Sequence, residues 1–125
     1  MSAEPQRLEA SEIKHPDIVA VARLEEQVEL KLFVPETLHY FRGHFPGFAI
    51  LPGVVQLDWA IQYGREHFAL GAVFANTIRI KFRKPIRPNR HLTLTIKFVR
   101  SRNCIYFDYT DAEGACSSGQ VGLAL

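Results

Sequence analysis

Residues 54–63 read Val-Val-Gln-Leu-Asp-Trp-Ala-Ile-Gln-Tyr. Written as a helix, the stretch is apolar on nearly every side through Val54, Val55, Leu57, Trp59, Ala60, Ile61 and Tyr63. A helix without a polar face has to be covered all round, so it belongs in the middle of a fold. In a chain of 125 residues, about one domain, the remaining sequence must do the covering. Pro52 and Gly53 open the helix, and proline suits the first turn because its missing N–H costs nothing there. The spacing predicts a helix from Pro52 or Gly53 to about Leu70.

The covering elements read as strands. Val28, Leu30, Leu32 and Val34 alternate with Glu29, Lys31 and Phe33. Ile78, Ile80 and Phe82 alternate with Arg79, Lys81 and Arg83, and Leu92, Leu94, Ile96 and Phe98 with Thr93, Thr95 and Lys97. Cys104 to Thr110 is a further strand, Asp111-Ala112-Glu113-Gly114 a turn, and Ala115 to Leu125 a last strand. Pro85 and Pro88 break two strands apart. The expected plan is α+β: an antiparallel sheet wrapped around one long central helix, with an edge strand that invites pairing to a second copy. Residues 1–16 read as a polar lead-in and 17–125 as a single domain.

Composition removes several classes. With 47% apolar and 22% charged residues, the chain can build a core and is not read as disordered. The longest stretch free of Asp, Glu, Lys and Arg, Gly43 to Leu57, is shorter than the roughly 18 apolar residues a membrane span needs. Met1-Ser2-Ala3-Glu4-Pro5 shows no basic region followed by an apolar run, so the expectation is a cytoplasmic protein without a leader. Cys104 and Cys116 are in no Cys-x-x-Cys pair and near no His at ligand spacing. They are expected to be inert strand residues, and no metal site is expected.

The net charge of +2 conceals segregation. Residues 67–107 hold nine Lys and Arg and no acid, whereas residues 1–66 hold ten acids and six bases. Such a block suggests a basic surface and an acidic partner, either nucleic acid or protein, with a solvated strand face as the plain alternative.

Residues 35–52 form a Gly- and Pro-bounded loop that is long for a compact domain, and such loops are usually functional. His44 lies in it, and imidazole is the side chain best suited to exchange protons near neutral pH. Asp58 lies about one and a half turns into the apolar helix, where a buried carboxylate needs a partner or a shifted pKa. The helix start at Gly53 offers backbone N–H groups and the positive end of the helix dipole. Together these supply a base, an acid and an oxyanion donor. By residue type alone, each is equally open to a structural reading: a hydrogen-bonded loop histidine and a satisfied helix carboxylate.

Gly43-His44-Phe45-Pro46, then Pro52-Gly53-Val54, then Leu57-Asp58, resembles the active-site motif of the β-hydroxyacyl-ACP dehydratases, the FabZ/FabA group of hotdog-fold enzymes. Ile80-Lys81-Phe82-Arg83-Lys84-Pro85-Ile86-Arg87-Pro88 resembles the family's strand of the form ARFKRPVVPGD. The similarity covers roughly residues 17–125, and Gln56-Leu57-Asp58-Trp59-Ala60 further resembles the ApeI-like dehydratases of aryl polyene biosynthesis. The resemblance implies paired hotdog protomers, each site using the loop His of one subunit and the helix carboxylate of the other. It implies that His44 moves the C2 proton of a 3-hydroxyacyl thioester, that Asp58 protonates the leaving hydroxyl, that the Gly53 N–H holds the thioester carbonyl, and that Gln62 orients the carboxylate. It gives Phe45, Ile50, Leu51 and Trp59 as candidate walls of an acyl tunnel, with core packing as the plain alternative. Arg79, Lys81, Arg83, Lys84, Arg87 and Arg90 become candidates for docking an acidic acyl carrier protein, whose phosphopantetheine arm brings the substrate. No metal or redox cofactor is implied. The sequence departs from the family at Ala49, where a proline is usual, after a bulky Phe48.

Three other readings stay open. A hotdog thioester hydrolase would use Asp58 to activate water, against which the Gly-His-Phe-Pro loop argues. A non-catalytic hotdog subunit would act in a heterodimer or higher oligomer, although both His44 and Asp58 are present. Nucleic-acid binding through the basic strands lacks exposed aromatics beside the charges, since Phe82 alternates onto the apolar face.

Overall fold

The computed structural model describes residues 13–41, 49–71 and 74–124. Six strands, β1 (Asp17–Arg23), β2 (Gln27–Val34), β3 (Phe74–Phe82), β4 (Arg90–Val99), β5 (Cys104–Asp111) and β6 (Gly114–Ala124), form one sheet. Their order across it is β1-β2-β4-β5-β6-β3, every neighbour antiparallel. One helix, α1 (Gly53–Phe68), stands between β2 and β3 in the chain and lies across β4 and β5. Single 3-10 turns occur at His39–Phe41 and Arg100–Arg102.

Side-chain alternation explains why these segments pair as they do. In β2, Val28, Leu30, Leu32 and Val34 are all buried while their neighbours face outward, and β4 repeats the pattern from Leu92 to Phe98. A one-residue slip would expose every one of these side chains, so the apolar period fixes the register. The rows facing the helix run across the sheet as Leu30–Leu94–Tyr109–Ser117–Phe82 and Val28–Ile96–Phe107–Gly119–Ile80. Against them α1 buries Val55, Trp59, Ala60, Tyr63 and Phe68.

Differences from the sequence reading have local causes. The strand β1 was not expected, because Ile18-Val19-Ala20-Val21-Ala22 does not alternate in polarity. It is an edge strand, bulged between Ile18 and Ala20 and paired with β2, whose seven residues are all exposed, with Arg23 lying over the Phe68 ring at 4.9 Å. The helix stops at Phe68, where Ala69 turns into the left-handed region (φ 54°) and the Leu70 N–H closes on the Arg65 carbonyl at 3.1 Å. The third strand starts at Phe74, four residues before the alternation becomes readable.

The helix is also not covered on all sides. Val54 is 71% exposed, Asp58 is exposed, and Leu57 and Ile61 are only partly buried. These residues share one stripe at i, i+3, i+4 and i+7. Beside this stripe is edge strand β3, whose helix-facing Ile78 and Phe82 are 48% and 54% exposed. The expectation that Asp58 is buried is therefore corrected for the single protomer: the sheet curls over one side of α1 only.

Of the lead-in, the described residues are tied down. The Ile13 carbonyl accepts from the His39 N–H (2.7 Å) and the Lys14 carbonyl from Trp59 Nε1 (3.2 Å). The two cysteines are buried and free, at opposite ends of the β5–β6 pair.

Gly119 occupies the one place in its row where no side chain fits. A Cβ there would lie 2.6 Å from the Arg79 carbonyl oxygen and 2.7 Å from Phe107 Cζ. The first is strand backbone and the second a buried ring, so neither can yield cheaply. Gly119→Ala is expected to destabilise the fold by roughly 1–3 kcal/mol, read as a lower urea midpoint. An unchanged midpoint would contradict the packing described.

Candidate active site at the start of the central helix

The start of α1 is built by backbone geometry. Pro52, in extended conformation (φ −61°, ψ 146°), is the N-cap and provides no side-chain cap. Its carbonyl accepts from the N–H groups of Val55 (3.1 Å) and Gln56 (3.2 Å). The N–H groups of Gly53 and Val54 have no intrahelical acceptor, as at any helix start, and they carry the positive end of the dipole. Gly53 is closely approached by the Phe82 ring: a Cβ there would stand 2.4 Å from Phe82 Cζ, so a larger residue would have to push this half-exposed ring aside.

A groove of about 480 Å³ opens at this point, walled by Ile50, Leu51, Pro52, Gly53 and Val54 on one side and Phe82, Arg83, Lys84 and Pro85 on the other, with Gln56 contributing to it. Two chain segments far apart in sequence meet here. The Leu51 N–H donates to the Ile86 carbonyl at 2.8 Å, and the N–H groups of Arg83 and Lys84 donate to the Cys116 carbonyl at 2.8 and 3.2 Å. Apolar side chains make up most of the lining, to which Arg83 and Lys84 add positive charge and the start of α1 adds backbone groups. Such a lining suits a long apolar chain attached to a polar carbonyl.

The polar core beneath the groove was not anticipated from sequence. Gln56 is 3% exposed, and its Nε2 donates to the Leu51 carbonyl at 3.2 Å. The Ser117 hydroxyl donates to Gln56 Oε1 at 2.7 Å. The Tyr109 hydroxyl donates to the Gln56 carbonyl at 2.7 Å. Burial drives the Tyr109 phenol well above its ordinary value, with smaller contributions from Tyr63 and Asp58, so it remains a neutral donor. Burial likewise carries the Tyr63 phenol to about 12. The readable signal was Gln56 itself, an amide inside an apolar run, to which the burial argument made for Asp58 applies equally.

The sequence candidates fall in several places. Ile50 and Leu51 line the groove with Gly53, and so do Arg83 and Lys84. His44 and Phe45 lie outside the described residues, in the stretch that leads directly into Ala49 and Ile50. Asp58 is on the uncovered stripe of α1, five residues on from Gly53, about 7.5 Å along the axis. Gln62 is next on that stripe, its amide directed to Glu66 Oε2 at 3.5 Å. Trp59 lies in the core, 1% exposed, edge-on to Tyr40 at 6.5 Å between ring centroids.

The six basic candidates do not share one surface. Arg79 and Lys81 line a second, open depression of about 470 Å³ on the outer face of the sheet, with Tyr106, Asp108, Ser118 and Gln120. Arg83 is exposed at the groove. Arg87 is half-buried in the connection after β3, and Arg90 is exposed at the start of β4. Lys84 is bound to Asp111 Oδ1 at 2.8 Å and approaches Glu113 at 3.8 Å. Among the described residues, no group of three His, Cys, Asp or Glu side chains is arranged to hold a metal ion, and no helix is long and apolar enough to cross a membrane.

The Lys84–Asp111 pair joins the basic part of the groove lining to the β5–β6 turn. Burial pushes the Asp111 carboxyl up, but hydrogen bonds from Lys84 and from the Glu113 N–H (2.8 Å) outweigh it and hold the group below its ordinary 3.8. The Lys84 amine is raised chiefly by its bond to Asp111. Burial also lifts the neighbouring Cys116 thiol to about 11, leaving it protonated and unreactive. A carboxyl depressed on folding stabilises the native state fully above the unfolded value and loses that contribution as pH falls through the folded one. Acidification below about pH 4 should therefore lower the Tm, and Asp111→Asn should flatten that acid limb. Superimposable Tm–pH curves for the two proteins would show that the pair contributes nothing.

Comparison with known proteins follows the same outline. The model of the ApeI-like family, described as ApeI dehydratase, matches residues 20–120. A 3-hydroxyacyl-[acyl-carrier-protein] dehydratase FabZ of Desulfotalea psychrophila is 38% identical over 77 residues, covering 54% of this chain and 51% of the relative. The chain thus spans about half the length of that curated relative. Among solved structures, the dehydratase heterocomplex ApeI:P from Xenorhabdus doucetiae superposes with a TM-score of 0.83 at 29% identity, covering 89% of this chain and 99% of that one. An uncharacterized protein from Erwinia carotovora subsp. atroseptica gives a TM-score of 0.78 at 36% identity, covering 88% and 96%. The arrangement they share with this chain, one helix lying in the curl of an antiparallel sheet, is the hotdog fold expected from the resemblance.

Proposed function

Because the chain belongs to the ApeI-like dehydratase family, we propose that it removes water from a 3-hydroxyacyl thioester carried on an acyl carrier protein and releases the trans-2-enoyl thioester, in biosynthesis of the fatty acid or aryl polyene type. The C2 proton passes to His44, the hydroxyl leaves C3 with a proton from Asp58, and the C2–H electron pair becomes the C2–C3 double bond. The Gly53 N–H, at the positive end of α1, steadies the carbonyl oxygen while it carries enolate charge. Each such group contributes about 10²–10⁴-fold. No redox step and no metal enter this balance.

The observation that supports this reading best is the position of Asp58. A carboxylate on an uncovered apolar stripe, between Val54, Leu57 and Ile61 and beside an unpaired strand edge, is one half of a site. A second hotdog protomer that extends the sheet along β3 would cover Val54, Ile78 and Phe82 and bring its own His44 loop toward Asp58. The basic part of the groove lining, with Arg83 the exposed cation there, suits the acidic carrier and the phosphate of its arm. The relative in Xenorhabdus doucetiae is a heterocomplex, which favours a second reading of the same surface, pairing with a related hotdog subunit in place of an identical one.

Mass spectrometry of a 3-hydroxyacyl carrier protein incubated with the pure protein tests the reaction directly. Loss of one water supports dehydration, whereas free acid and free thiol would sink it in favour of hydrolysis. No turnover alone, but turnover after addition of a related dehydratase-like subunit, selects the heterodimer. His44→Ala and Asp58→Asn should each lower turnover by at least about a hundredfold with folding intact, and wild-type rates in either variant would remove that residue from the mechanism. Arg83→Glu should raise KM for the acyl carrier protein more than for a small pantetheine thioester. Equal effects on both would count against docking at Arg83.

A further inference from the structure

Gln56 and Ser117 are buried polar side chains in an otherwise apolar core, and they are bonded to each other. Their placement has a direction. A carbonyl oxygen can only accept, so the Leu51 carbonyl fixes Gln56 Nε2 on its side and turns Oε1 to Ser117, whose hydroxyl must donate. The amide thus joins the segment just before α1 to strand β6, while the Tyr109 hydroxyl grips the backbone of the same residue from β5.

The peptide units before Gly53 are pinned in turn. The Leu51 N–H is held by the Ile86 carbonyl, and the Leu51 carbonyl by Gln56 Nε2. The ring of Pro52 fixes its φ, and the Pro52 carbonyl accepts from Val55 and Gln56. In a trans peptide the N–H lies opposite the carbonyl. With the Pro52 carbonyl turned into the helix, the Gly53 N–H is directed out of it, toward the groove that Gln56 also lines. A methionine would fill the same space without the desolvation cost of a buried amide, so packing alone does not account for glutamine here.

We propose that Gln56 is a positioning residue for the site: its amide, held between the Leu51 carbonyl and the Ser117 hydroxyl, sets the peptide that aims the Gly53 N–H into the groove. The proposal rests on the dehydratase reading for its catalytic consequence, though not for its geometry. Gln56 touches no reacting atom. It acts through the Leu51–Pro52–Gly53 segment, and Ser117 acts through Gln56.

The test uses the full chain as it assembles, with Gln56→Met, Ser117→Ala and Gln56→Glu. In amide ¹H–¹⁵N spectra, the Gly53 resonance should move in Gln56→Met and Ser117→Ala while resonances of β2 and β4 stay in place. Per folded protein, kcat for dehydration should fall about tenfold to a hundredfold in Gln56→Met, as expected for a small misplacement of an acting group. KM should stay within about threefold, since ground-state binding is little affected. Gln56→Glu should regain activity toward acid pH, where the protonated carboxyl again donates to the Leu51 carbonyl, a limb absent from the wild type. An unmoved Gly53 resonance, or an unchanged kcat with only a lowered Tm, overturns the proposal and leaves Gln56 a packing residue. Wild-type protein without dehydratase activity, both alone and with a related subunit added, would instead count against the dehydratase reading, while the amide spectra still decide the geometry. If Gln56→Met does not fold, Ser117→Ala carries both readouts, because it removes a single hydroxyl.

Discussion

Apolar burial alone does not place the central helix. Hydrophobic contact is non-directional; it holds the buried face of α1 against the sheet without fixing how individual peptide groups of the first turn are aimed. Hydrogen bonds are directional, and three of them meet at Gln56, from Tyr109 on β5, from Ser117 on β6 and to Leu51 in the approach to the helix. This junction sets the depth and rotation of the first turn. The groove follows from it, because its walls come from residues 50–54 and 82–85, which face each other only while Leu51 is bound to Ile86 and Gly53 is seated against Phe82.

The same rotation leaves part of α1 bare. With Val55, Trp59, Tyr63 and Phe68 turned into the sheet, Val54, Asp58 and Ile61 must face the other way. They adjoin β3, which runs in unbroken register from Thr77 to Phe82 and presents its outer backbone edge unpaired among the described residues. An apolar stripe beside a regular strand edge is a surface that water stabilises poorly and a second chain can complete. Asp58 lies in that surface, so the catalytic role proposed for it and the assembly of the protein are one question.

The basic block illustrates how a contiguous run in sequence is divided in space. Period-two alternation sends Arg79 and Lys81 to the outer face of the sheet while Ile78, Ile80 and Phe82 face the helix. After Phe82 the chain leaves the strand, and Arg83 and Lys84 turn to the groove, where Lys84 is taken by Asp111. Arg87 and Arg90 follow on a separate connection. Charge composition showed that a basic region exists, but strand geometry and one ion pair decide which of its members face the groove.

Strong local patterns carried most of the fold: five of the six strands, the helix and the antiparallel plan follow from alternation, turn residues and one apolar run, because burial imposes those patterns on the sequence. Strand β1 escaped because an edge strand exposed along its whole length has no period to show. Asp58 and the glycine that opens the helix could be singled out as candidates because a carboxylate in an apolar run and a Pro-Gly helix start stand out in the sequence. The polar junction was legible only at Gln56, an amide inside an apolar run; its partners Tyr109 and Ser117 were not, since they lie 53 and 61 residues away along the chain and look ordinary alone. The sequence by itself thus determined which elements form and which residue types can exchange protons. The tertiary structure alone decided that Asp58 is exposed on the protomer and that Gly53 lines a groove, because both depend on the rotation of one helix, which contacts with distant strands set.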